Sequence, residues 1–118
     1  KDSVRFKILT PNMIQLLKFL AGYAEITEKT WVITSANDSR HASDSRHYLD
    51  RAIDLRSRTK TPTEIEGLVK NVFNVFGDKI RIKIELDKND RHWVTSADEI
   101  RFPPGERWSN QHIHIEVS

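Results

Sequence analysis

Ile80-Arg81-Ile82-Lys83-Ile84-Glu85 alternates apolar and charged residues at every step. A period of two is what a strand needs to bury one face and wet the other. His112-Ile113-His114-Ile115-Glu116-Val117 repeats the pattern, with the isoleucines and Val117 on one face and His112, His114 and Glu116 on the other. Two shorter strands are predicted at Trp31-Val32-Ile33-Thr34 and Ala52-Ile53-Asp54-Leu55. In the latter, Ile53 and Leu55 share one face while Ala52 and Asp54 share the other.

Two helices accompany these strands. The first opens with Thr10 as N-cap and Pro11 at the first helical position, and Met13, Leu16, Leu17, Leu20 and Ala24 recur at helical spacing. The second opens with Thr61-Pro62-Thr63-Glu64, the pattern of a capping box. Ile65, Leu68, Val69, Val72 and Phe76 form its apolar stripe, and Gly77 is a stop signal. Residues 35–46 read as a polar loop, 87–90 as a turn, and 93–110, with Pro103-Pro104-Gly105, as an irregular excursion. The predicted class is α+β, a mainly antiparallel sheet with helices packed on one side.

The length of 118 residues fits a single domain over residues 1–118. With 37% apolar and 31% charged residues, the composition is that of a soluble globular chain. No apolar run is long enough to span a bilayer. The chain begins at Lys1 and not at Met, which leaves room for a removed upstream segment and any targeting signal it carried. There is no cysteine, so a metal site must be built from His, Asp or Glu. The net charge of +2 is slight and mixed in sign, which argues against a nucleic-acid partner.

Five histidines are present. His112 and His114 belong on the polar face of the last strand, where a solvated surface and a metal site are both compatible with the pattern. Asp54, flanked by Ile53 and Leu55, is a carboxylate that needs a neutralising partner. Arg51 or Arg56 would serve as an ion pair, and a metal would serve as well. Two imidazoles and one carboxylate leave a fourth tetrahedral position open, as in a catalytic zinc site.

The stretch Ser45-x-His47-Tyr48-x-x-Arg51-Ala52-x-Asp54, followed by His112-x-His114, resembles the paired signature of the zinc D-alanyl-D-alanine peptidases. Their L-alanyl-D-glutamate endopeptidase relatives and the hedgehog signalling domain share that signature and its fold. The resemblance implies one zinc ion per chain, held by His47, Asp54 and His114. It implies a peptidoglycan stem peptide as substrate, and a cell-envelope, extracellular or phage-lysin setting. A monomer is expected. Less directly, it suggests His112 or His41 as oxyanion stabiliser, Arg40 as a contact for a substrate carboxylate, and Ser45 as an orienting hydroxyl. Trp93, Trp108 and Phe102 would wall the cleft or pack in the core.

Two positions depart from that signature. Asp50 stands where Gly is usual, and Asp tolerates left-handed backbone geometry. Gln111 stands where many relatives carry the acidic general base, and an amide cannot take up a proton at neutral pH. The hedgehog-like arrangement has its glutamate further upstream, which implies Glu106 in the preceding loop as the replacement, with Glu116 on the ligand face of the strand as its competitor. A zinc-binding recognition module without hydrolytic activity is the other reading of the same motifs.

Overall fold

A computed structural model describes residues 10–36, 51–87, 90–102 and 112–118 of the chain. Among these residues, two α-helices, two short 3-10 turns at Gly77–Lys79 and Ala97–Glu99, and a five-stranded sheet make up the fold, and every strand pair is antiparallel. In chain order the elements are α1 (Pro11–Thr27), β1 (Ile33–Ala36), β2 (Ala52–Arg56), α2 (Pro62–Phe76), β3 (Ile80–Asp87), β4 (Asp90–Val94) and β5 (His112–Val117). The spatial order is β1-β2-β5-β3-β4, so the last strand in sequence is the middle strand of the sheet.

The helix boundaries follow from their caps. The Thr10 hydroxyl accepts the Met13 backbone N–H at 3.1 Å, and Pro11 occupies the first turn, where no backbone donor is needed. At the start of α2, the Thr61 hydroxyl accepts from the Glu64 N–H at 3.1 Å. The Glu64 carboxylate accepts from the Thr61 N–H at 2.8 Å, which completes the capping box. Gly77 ends α2 at φ 55°, a left-handed backbone angle that side chains disfavour.

Ile65, Leu68, Val69, Val72 and Phe76 of α2 join Met13, Leu16 and Leu20 of α1 in one apolar cluster. The same cluster contains Ile53 and Leu55 of β2, Ile80, Ile82 and Ile84 of β3, and Ile113, Ile115 and Val117 of β5. Both helices therefore bury their stripes against one face of the sheet, and the expected α+β architecture is observed. No helix among the described residues is long and apolar enough to cross a membrane.

Two expectations change in detail. The first strand lies two residues later than predicted, at Ile33–Ala36, because Ser35 and Ala36 pair with Asp54 and Ile53 across a register shift. Pairing with β2 sets its limits more strongly than the apolar content of Trp31 and Val32. The larger correction concerns Trp93, assigned above to an irregular excursion. Asp90–Val94 is a regular strand that pairs with β3 from Ile82↔Val94 to Glu85↔Arg91. Its alternation is hidden because Asp90 and His92 occupy the inward positions where apolar residues would signal a strand. His92 is satisfied there: its Nδ1 lies 3.1 Å from Asp90 Oδ1, and its Nε2 accepts the Arg101 N–H at 3.1 Å. Phe102 packs against the core, the second of the two roles considered for it.

Candidate metal centre

The face of the sheet opposite the helices carries Asp54, Glu85, His112, His114 and Glu116. Register alone places its residues, because cross-strand partners on one face stand side by side. Asp54 of β2 faces His114 of β5, which faces Lys83 of β3, which faces Trp93 of β4. One pleat away, Arg56, His112, Glu85 and Arg91 form a parallel row. Arg81 and Glu116 face each other in a third row.

His114 is held between two carboxylates. Its Nδ1 lies 2.8 Å from Asp54 Oδ1 and its Nε2 lies 2.9 Å from Glu116 Oε2. A neutral imidazole has one N–H and donates to only one of two such acceptors. Burial works against the charged ring, but the hydrogen bonds and charges of Asp54 and Glu116 outweigh it and raise the His114 pKa above its ordinary 6.5. Either a second proton or a cation satisfies both contacts. Glu116 is further held by Arg81, whose guanidinium lies 3.6 Å from Oε1. Trp93 meets the His114 ring edge-on, with centroids 6.0 Å apart. Arg81 and Lys83 lie over the indole at 4.2 and 5.3 Å.

His112 turns to a different carboxylate. Its Nε2 contacts Glu85 Oε2, and Glu85 Oε1 lies 3.6 Å from Arg91 and 4.0 Å from Lys83. One ligand atom from each of Asp54, Glu85 and His112 lies within 4.8 Å of the others, so this group can hold a metal ion. Nitrogen and oxygen donors at such separations suit a divalent cation.

Of the residues singled out from sequence, Asp54, His112, His114, Glu116 and Trp93 thus come together on one face. Arg40, His41, Ser45, His47, Glu106, Trp108 and Gln111 lie outside the described residues. Glu85 belongs to the cluster and was not singled out. Its position in the alternation of β3 puts it on the polar face, but only the pairing of β3 with β5 brings it to His112. Compared with family models, curated proteins and solved structures, the chain matches none of them.

Proposed function

We propose that the protein is a zinc-dependent peptidase that hydrolyses D-amino-acid-containing stem peptides of peptidoglycan, as carboxypeptidase or endopeptidase. The observation that carries this reading is the direct pairing of Asp54 with His114. Two residues that the paired signature names as ligands, sixty positions apart in sequence, meet at 2.8 Å across two strands. Their donor chemistry fits the ion: the Asp54 oxygen and the His114 Nδ1 share a position that a cation can take from a proton. Glu116 on the far nitrogen is the carboxylate partner that histidine ligands of zinc commonly have.

In this reading His47, Asp54 and His114 bind zinc, which when bound acidifies water and polarises the scissile carbonyl. Glu116 is a positioning residue, because its two oxygens are engaged by His114 and Arg81. Glu106, which the hedgehog-like resemblance suggests, is the group that would accept a proton from the attacking water and return it to the leaving amine. Trp93, 43% exposed beside His114, offers an apolar wall to a bound peptide.

Purified peptidoglycan is the decisive substrate. Zinc-dependent release of peptides or D-alanine, abolished by His114→Ala, is the expected result. Absence of release from several wall chemotypes by zinc-loaded protein rejects the hydrolase. Retained zinc with no turnover leaves the recognition module, the reading that Gln111 favours.

A further inference from the structure

Glu85 has no part in the expected zinc triad, yet it is one of the most deeply placed polar groups on the open face. It is 6% exposed, in the second half of β3. A carboxylate at that depth is costly unless its oxygens are engaged. Arg91 and Lys83 approach Oε1, which fixes the carboxylate plane and presents Oε2 to His112. The neighbouring Asp54 completes a set of two carboxylates and one imidazole whose ligand atoms lie within 4.8 Å of one another. All three residues sit on strands joined through β5, so the backbone holds the set together without help from a loop. Two carboxylates and one imidazole are a donor set that suits a divalent ion of borderline softness.

We infer that Asp54, Glu85 and His112 form a divalent-cation site of their own, with zinc as its ion and Asp54 shared with the Asp54–His114 pair. The site stands on the geometry of three strands and does not rest on the peptidase reading. A carboxylate common to two adjacent ions is a way to build a two-metal hydrolytic centre. In this arrangement His112 is a ligand and not the oxyanion donor that the resemblance suggests.

The test is a zinc titration of the metal-free full chain, followed by calorimetry and by metal content after gel filtration. Glu85→Gln and His112→Asn should each lose one equivalent that His47→Ala and His114→Ala retain. Asp54→Asn should lose every equivalent. Circular dichroism in chelator establishes that each variant is folded, and His112→Asn carries the test if Glu85→Gln is not. The inference is overturned if the wild type binds no zinc, or if every equivalent survives Glu85→Gln and His112→Asn. It is also overturned if Glu85→Gln and His47→Ala abolish the same single equivalent. A protein that cleaves no peptidoglycan but binds a Glu85-dependent ion keeps this site and loses the peptidase reading.

Discussion

The two faces of the sheet obey different rules. On the helix side, Ile53, Leu55, Ile82, Ile84, Ile113 and Ile115 are at most 1% exposed, and any of them is replaceable by a similar apolar shape. On the other side, Asp54, Glu85, His112, His114 and Glu116 each have a specific charged or imidazole partner. The first face needs volume, which is non-directional. The second needs particular atoms at particular distances. Stability should therefore be concentrated on one side and ligand chemistry on the other, even between adjacent residues.

Ile113 and His114 put that contrast to its strongest test. Ile113→Ala removes a fully buried side chain between β2 and β3 and should cost about 2–5 kcal/mol in denaturant unfolding. His114→Ala, one residue on, should cost about 1 kcal/mol in chelator. A larger loss at His114 than at Ile113 would show that the polar face, not the core, holds the sheet together. Next in size is the helix side's own polar device. Thr61→Ala breaks the capping box of α2 and should lower stability by about 1 kcal/mol, read from the same unfolding curves.

Trp93→Ala removes the indole under Arg81 and Lys83, and a cost of roughly 0.5–1 kcal/mol is expected from lost cation–π contact. The smallest effect is a pH dependence. The Thr61 N–H, followed by Lys29, holds the Glu64 pKa below its ordinary 4.5. A depressed acid adds stability above its unfolded value and loses it as pH falls through the folded one. The difference between wild type and Glu64→Gln should therefore be constant near neutrality, begin to shrink as pH approaches the ordinary 4.5, and vanish only below the lowered folded value. A difference that persists in acid would assign the effect of Glu64 to packing instead.

The contrast between the faces also explains what could be read from the sequence. β3 and β5 announce themselves by alternation, and Thr61 to Glu64 by its capping pattern, because these signals are local and depend on residue type alone. β4 hides behind His92 and Asp90, which satisfy each other's polarity at positions where a strand usually spends apolar side chains. Asp54, His112 and His114 stand out as chemistry on strand faces. Glu85 does not, since an outward Glu in an alternating strand looks like any solvated residue. Its partners Arg91 and His112 are assigned by strand order, and strand order is decided by how the whole chain closes.

That closure has a kinetic side. β5 lies between β2 and β3, so the sheet has no continuous centre until residues 112–117 are in place. Pairing Asp54 with His114 spans sixty residues of chain, a separation that slows folding relative to local hairpins. On a ribosome, α1, α2 and the β3–β4 hairpin can all emerge while the middle of the sheet is still missing. Both rows of acid and imidazole would then assemble in the same late step that docks β5. If the open face binds metal, binding would report the docking of β5, and metal added during refolding should act on that step and leave the earlier ones unchanged.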